Sequence, residues 1–72
     1  PKEMFDFSEA LRWIKNGRNA YRASWEDGNY ICLGTLQPQG HRFICHGNSH
    51  GDITVGWRPS NNDMLAEDWV EV

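Results

Sequence analysis

The sequence predicts an α+β fold, in which an N-terminal helix packs on a small antiparallel sheet of about five strands and a short helix precedes the last strand. Three observations predict it. Residues 7–17 have the apolar spacing of an amphipathic helix. Residues 30–46 contain two alternating segments on either side of the turn sequence "QPQG". A capping pattern shortly before "DWVEV" marks a short helix followed by a strand. At 72 residues, the chain is expected to form a single domain, residues 1–72.

Both ends of the first helix are marked in the sequence. Asp6 is the predicted N-cap, and Glu9 then occupies the third helical position, as in a capping box. Gly17 suits the left-handed conformation that ends many helices. The i, i+3, i+4, i+7 spacing predicts a buried face, with Trp13 on its flank and these members: Phe7, Ala10, Leu11 and Ile14.

Alternation also predicts a first and a fourth strand. In residues 20–25, Tyr21, Ala23 and Trp25 are expected to share one face of the strand. "EDGN" at 26–29 is a predicted turn. Residues 53–57 form the predicted fourth strand, and its shared face is expected to contain Ile53, Val55 and Trp57.

The central hairpin is predicted to be apolar on both faces. Pairing Leu36 with His41 across "QPQG" places Cys32 opposite Cys45 and Gly34 opposite Phe43. One face then contains Tyr30, Cys32, Leu36, Phe43 and Cys45, and the other contains Ile31, Leu33 and Ile44. One helix covers only one face, so the second apolar face is expected to contact another copy of the chain. The sequence therefore predicts a homo-oligomer, a tetramer built from dimers.

The C-terminal segment combines a short helix with the fifth strand. Ser60 is the predicted N-cap, Asp63 can return a hydrogen bond to its amide, and the helix runs from Asn61 to about Ala66. Within that helix, Met64 and Leu65 are expected to face the protein interior. In the last strand, Val70 and Val72 are expected to face the core, which turns Trp69 towards the second apolar surface.

Two motifs resemble a known family. They are F-x-x-A-L-x-x-I-K-x-G-x-x-x-x-R-x-x-W in residues 7–25 and W-x-P-S-x-x-D-M-L-A-x-D-W in residues 57–69. The family consists of small phage and bacterial proteins and includes phage anti-defence proteins that sequester the cyclic ADP-ribose-type signal of Thoeris immunity. The resemblance implies an assembly of α+β protomers, often tetrameric. It also implies pockets between protomers that hold a small cyclic nucleotide-type ligand without cutting it.

The tryptophans and arginines near these motifs suit such a ligand. A base stacks on an indole ring, and an arginine binds phosphate bidentately, so Trp25, Trp57 and Trp69 with Arg22 or Arg58 are candidates. The alternative for the tryptophans is that they only pack in the core. Asp63 either only caps its helix or also forms a hydrogen bond to a ribose or an amine of the ligand. Trp13 is assigned to packing. The predicted ligand-binding residues are Phe7, Arg22, Trp25, Trp57, Asp63 and Trp69.

Composition argues against several partners. A net charge of −3 disfavours a nucleic-acid polymer, because such binding needs a basic surface. No stretch has the ~20 apolar residues of a membrane span. Residues 1–7 lack the pattern of a secretory signal, so the cytoplasm of the host bacterium is the expected location. Two cysteines do not form the disulfide framework of a secreted protein, so Cys32 and Cys45 are expected to be reduced. Cys32, Cys45, His46 and His50 lack zinc-site spacing, so no metal is expected, and no cofactor is predicted.

No spacing in the sequence pairs a catalytic base with a nucleophile, and His41, His46 and His50 are expected to face solvent. A non-catalytic protein that sequesters an immune signal is therefore the leading prediction. The alternatives are a hydrolase that degrades such a signal and a structural or assembly subunit of phage or prophage origin.

Overall fold

The computed structural model describes residues 3–25, 28–36 and 39–72 and confirms the predicted α+β architecture. The predicted turns at 26–29 and 37–40 lie partly outside the described residues. In chain order the elements are α1 (Phe7–Lys15), β1 (Ala20–Arg22), β2 (Tyr30–Leu36), β3 (His41–Gly47), β4 (Ile53–Val55), α2 (Asn61–Leu65) and β5 (Trp69–Glu71). The strands form one antiparallel sheet in the order β4-β3-β2-β1-β5. Among the described residues, neither helix has the length and apolarity needed to cross a membrane.

Helix α1 begins where the sequence predicts. Asp6 is the N-cap, and its Oδ1 accepts a hydrogen bond of 3.1 Å from the Glu9 amide. The Glu9 carboxylate accepts a hydrogen bond of 2.7 Å from Arg12, instead of the bond from the Asp6 amide that a capping box would have. Trp13 was predicted at the edge of the buried helix face, but it is buried, and its ring packs edge-to-face against Phe5 at 5.5 Å. Its assignment to packing is therefore confirmed. Leu11 is only half-buried. The helix is therefore rotated slightly from the predicted face.

The hairpin register is confirmed. Leu36 pairs with His41, Cys32 with Cys45 and Gly34 with Phe43. The face that contains Ile31, Leu33 and Ile44 packs against α1, because these side chains belong to or contact the core around Ala10, Trp13 and Ile14.

The opposite side of the sheet, called the outer face here, is not covered by either described helix. The strand register places these residues on it: Tyr21, Tyr30, Cys32, Phe43, Cys45, Val55 and Val70. Two rings lie across glycines of the neighbouring strand. A Cβ at Gly47 would lie 2.4 Å from Cζ of Tyr30, and one at Gly34 would lie 2.5 Å from Cε2 of Phe43. The glycines therefore let the two rings lie against the backbone, so this apolar surface projects little from the sheet.

Trp25 and Trp57 do not share a sheet face with the strand residues that were predicted to accompany them. Strand β1 ends at Arg22, and Trp25 turns back to pack against the core on the α1 side. Gly56 has a φ of 80°, which interrupts the alternation after β4. Trp57 consequently packs on the α1 side, whereas Ile53 and Val55 lie exposed on the outer face.

The predictions for the C-terminal side chains were also wrong. Trp69 is fully buried on the α1 side, and Val70 is buried on the outer face. On that side the Trp69 ring packs against Phe7 and Trp25, while its backbone pairs with Phe5 through N–O distances of 2.9 and 3.0 Å. Val72, Met64 and Leu65 are exposed, the last by 80%. The α2 side chain that turns towards the sheet is instead Asp63, which is paired with Arg22 of β1.

Candidate functional site

Phe7, Trp25, Trp57 and Trp69 form an aromatic cluster beside the start of α1. Trp69 lies at its centre, with ring centroids 5.2 Å from Trp25, 5.3 Å from Phe7 and 6.2 Å from Trp57. Trp25 and Trp57 meet at 6.2 Å with an interplanar angle of 70°. Edge-to-face contacts of this kind stabilise the rings beyond the area that they bury.

A cavity of about 330 Å³ opens beside this cluster. Its lining consists of Trp25, Asn29, His46, Trp57 and Asp63, and it is called the aromatic pocket here. Ligand pockets usually have volumes of roughly 300–1,000 Å³, so this one lies at the small end. It is also open to solvent on one side. The described chain therefore builds two aromatic walls and a polar rim, but not a closed cavity.

Asp63 joins the helix cap to the pocket. Its Oδ2 accepts a bond of 3.1 Å from the Ser60 amide, and Ser60 Oγ accepts one of 3.1 Å from the Asp63 amide, so the predicted capping box is confirmed. Burial would raise the pKa of Asp63, but hydrogen bonds from Ser60 and Arg22 outweigh it and lower the pKa. Asp63 is therefore a cap and, at the same time, an ionised carboxylate on the pocket wall.

Arg22 is held by two carboxylates. Its Nε donates to Asp68 at 2.8 Å and its Nη1 donates to Asp63 at 2.9 Å. Only 19% of the Arg22 side chain is exposed. The bonds to Asp68 and Asp63 raise the pKa of Arg22. For Asp68, burial opposes these contacts, but they still lower the pKa of its carboxyl. Because two carboxylates surround one guanidinium, Arg22 fixes α2 and the residue before β5 to the sheet without adding net positive charge to the pocket.

The structure brings all six predicted site residues together, but in two layers. Trp25, Trp57 and Asp63 line the aromatic pocket. Phe7, Arg22 and Trp69 lie behind them. Trp69 has no exposed surface, and its Nε1 donates a bond of 3.0 Å to the Asp63 carbonyl. The second layer therefore contacts the pocket walls rather than the pocket space.

Two pocket residues were missed by the sequence analysis. His46 was expected to face solvent, but it is half-buried with its ring 5.9 Å from Trp25. The hairpin register contained the missing signal, since it pairs His46 with the buried Ile31. Asn29 lies immediately before β2, where no sequence pattern indicated a role. His41 and His50 are exposed, as predicted.

Arg58 differs from Arg22 in its surroundings. It directly follows Trp57 in the chain, its side chain is exposed, and it has no hydrogen-bond or ion-pair partner among the described residues. Arg58 is therefore the candidate arginine whose charge is available to an anionic ligand.

Cys32 is half-buried, Cys45 is buried, and both are free thiols. Burial and the adjacent Cys45 raise the pKa of Cys32. Within the part of the chain that the structure describes, no group of three or more His, Cys, Asp or Glu side chains is arranged to hold a metal ion.

Two comparisons with known proteins bear on this site. A family model described as Tad2-like, a Thoeris anti-defense 2-like domain, matches residues 5–72. The matched range includes both sequence motifs and every residue of the aromatic pocket. No curated protein matches the chain.

Proposed function

The chain belongs to the Tad2-like family of Thoeris anti-defense 2-like domains, and from this we propose that it is a non-catalytic protein that sequesters a cyclic nucleotide-type immune signal. Family membership supports a role in phage anti-defence. The finer proposal concerns the ligand. It is a cyclic ADP-ribose-like molecule that remains intact while bound, so that it no longer reaches its receptor in the host.

The aromatic pocket is the observation that carries this proposal. Trp25 and Trp57 present two indole rings at the edge of an open cavity. A purine or nicotinamide-like ring stacks on such a surface for roughly 1–3 kcal/mol. The cluster behind the rings holds them in place before the ligand arrives, which reduces the entropy that binding loses.

The charges around the pocket suggest how the ligand is oriented. Asp63 is ionised and favours a hydroxyl or amino donor, such as a ribose diol or an exocyclic amine. The same charge repels phosphate, so the ring and the ribose enter beside Asp63 and the phosphates point away. Arg58 follows Trp57 and supplies the unpaired cation that binds them.

The open side of the pocket and the uncovered outer face support an oligomer. A pocket at the small end of the usual range gains enclosure when a second protomer closes it. The outer face is apolar and meets neither described helix, and such a face is usually buried against a partner. We therefore propose a homo-oligomer, a tetramer built from dimers, with the ligand held between protomers.

Sequestration needs affinity rather than chemistry. A protein of this kind acts by mass action, so its sites must outnumber the signal molecules and its dissociation constant must lie below the signalling threshold. A nanomolar constant corresponds to about −12 kcal/mol. Stacked rings, a paired phosphate and hydrogen bonds all contribute to such affinity, and a preorganised site reduces the entropy that binding loses.

Native mass spectrometry tests the proposal directly. The purified protein is incubated with cyclic ADP-ribose derivatives, linear ADP-ribose and cyclic dinucleotides, and the bound masses are measured. The mixture is then heated, and the released ligand is identified. We expect a bound cyclic molecule that is released unchanged, and a Trp25→Ala variant that binds it more weakly. Release of a hydrolysed product would instead identify an enzyme, and no binding to any of these molecules would favour a structural subunit.

A further inference from the structure

Helix α2 presents an apolar ridge to solvent. Met64 is 45% exposed and Leu65 is 80% exposed, although both are large apolar side chains. Glu67 follows them and is also exposed. Asp63 and Asp68 are paired with Arg22, so the free negative charge beside this ridge belongs to Glu67. Met64, Leu65 and Glu67 are called the α2 ridge below.

A groove of complementary character lies on the same side of the sheet. It has a volume of about 320 Å³ and lies between the C-terminal half of α1 and the β2–β3 hairpin. Its apolar floor contains Leu11, Ile14, Leu33 and Ile44, and two cations, Lys15 and Arg42, stand at its rim. It is called the α1 groove below.

The charges of the ridge and the groove are opposite and available. Neither Lys15 nor Arg42 has an ion-pair partner among the described residues, and the same holds for Glu67. The chain as a whole is acidic, with a net charge of −3, whereas the α1 groove carries a local positive charge from two unpaired cations beside its apolar floor. An apolar projection with an adjacent carboxylate fits this surface in both shape and charge.

We propose that Leu65 of one protomer occupies the α1 groove of a second copy, with Glu67 opposite Arg42 and Lys15. One chain carries both halves of the contact, and both lie on the α1 side of the sheet. Helix α2, which carries the ridge, is connected through Asp63 and Trp69 to Phe7 at the start of α1, whereas the groove lies beside the end of α1. A two-fold axis across α1 therefore makes the contact reciprocal, as a closed dimer requires.

This contact is separate from the outer face. A tetramer built from dimers needs two different interfaces, and the outer face supplies only one. The contact rests on the self-association included in the proposed function, but not on any ligand. Because Asp63 and Leu65 share α2, the contact would also place the aromatic pocket close to a subunit boundary.

Light scattering and native mass spectrometry on substituted proteins test the inference. Leu65→Lys should lower the number of subunits per particle and raise the dissociation constant of this interface at least about tenfold. Met4→Lys is the matched control, because Met4 is an exposed apolar residue, 57% exposed, outside the ridge and the groove. Val55→Lys, on the outer face, identifies the other interface. A monomeric wild-type protein, or a Leu65→Lys variant with an unchanged subunit count, would overturn the proposed contact.

Charge reversal provides a more specific test. In Arg42→Glu alone, the introduced carboxylate faces Glu67 of the second copy. In Glu67→Arg alone, the introduced guanidinium faces Arg42 and Lys15. Each variant should therefore associate more weakly than the wild-type protein, because like charges meet at the contact.

When the Arg42→Glu and Glu67→Arg variants are mixed, the carboxylate introduced in one protein faces the guanidinium introduced in the other. Mixed particles should therefore form in preference to particles of either variant alone, as native mass spectrometry can measure. Random mixing, or no loss of association in the single variants, would contradict the proposal. Weaker association of the single variants with unchanged ligand binding would support the contact and contradict the part of the proposed function that holds the ligand between protomers.

Discussion

Arg22 in β1 and Asp63 in α2 are joined by an ion pair of 2.9 Å that fixes the short helix against the sheet. Asp63 also completes the capping box of α2 and lines the aromatic pocket. The pair therefore couples the position of the sheet to the position of a pocket wall. Asp68 binds the same guanidinium at 2.8 Å, so removing Arg22 leaves two partly buried carboxylates without their main cation.

Arg22→Ala should lower the free energy of unfolding by about 2–3 kcal/mol, because hydrogen bonds between charged, partly buried groups are lost. Urea denaturation followed by tryptophan fluorescence measures this change. Arg58→Ala is the matched control, since Arg58 is exposed, and its effect should stay within about 0.5 kcal/mol. Equal effects of the two substitutions would show that the Arg22 contacts do not hold α2 in place.

The two arginines should also differ in how they affect ligand binding. Arg58→Ala should weaken binding of a cyclic ADP-ribose-type ligand and reduce the dependence of the dissociation constant on salt, because an exposed charge contact is screened by ions. Arg22→Ala should weaken binding without changing that salt dependence. Titration calorimetry at several salt concentrations separates the two cases. A reduced salt dependence in Arg22→Ala would assign the phosphate contact to Arg22 instead.

Acid should destabilise the protein through Asp63 and Asp68. Their contacts with Arg22, Ser60 and Ser24 outweigh burial and lower both pKa values in the folded state. Their contribution to the free energy of unfolding is therefore complete above the pKa of an aspartate in the unfolded chain, about 3.9. It is lost as the pH falls towards their lower pKa values in the folded state. The urea midpoint should decline below about pH 4, and Asp68→Asn should flatten this decline. An unchanged decline in Asp68→Asn would contradict this assignment.

Trp25 and Trp13 should have different roles. Trp25→Ala removes a pocket wall and should weaken ligand binding ten- to a hundred-fold, which corresponds to about 1–3 kcal/mol for one stacked ring. Trp13 is buried against Phe5 and does not line the aromatic pocket, so Trp13→Phe should lower the melting temperature without weakening binding. Calorimetric titration and thermal melting test the pair together. Unchanged affinity in Trp25→Ala would show that the ligand binds outside the aromatic pocket.

Both cysteines are predicted to be reduced and without metal. Burial raises the pKa of Cys32, and Cys45 is only 4% exposed, so the native protein should react slowly with thiol reagents at about pH 7. Alkylation after denaturation should modify both thiols of each chain, as mass spectrometry can measure. Finding one zinc ion per chain by elemental analysis would overturn the prediction and indicate a Cys/His site.

Local chemistry accounts for the parts of the fold that were predictable. A capping residue acts on amides two or three positions away, so Asp6 and the Ser60–Asp63 box could be identified from the sequence. The length of the turn sets the hairpin register, which placed Cys32 opposite Cys45. The family motifs identified the residues that gather around the pocket, although not their two layers.

By itself, the sequence determined the elements, their order and the register of the hairpin, because each depends on residues close together in the chain. Only the tertiary structure decided which side of the sheet each tryptophan occupies. Alternation places neighbouring residues on opposite faces but does not say which face a helix will cover. The positive φ of Gly56 turned Trp57 inward, and Trp69 packs in the core against Phe7 of α1. The tertiary structure likewise pairs Arg22 with two carboxylates that are distant in sequence, which no local pattern indicated.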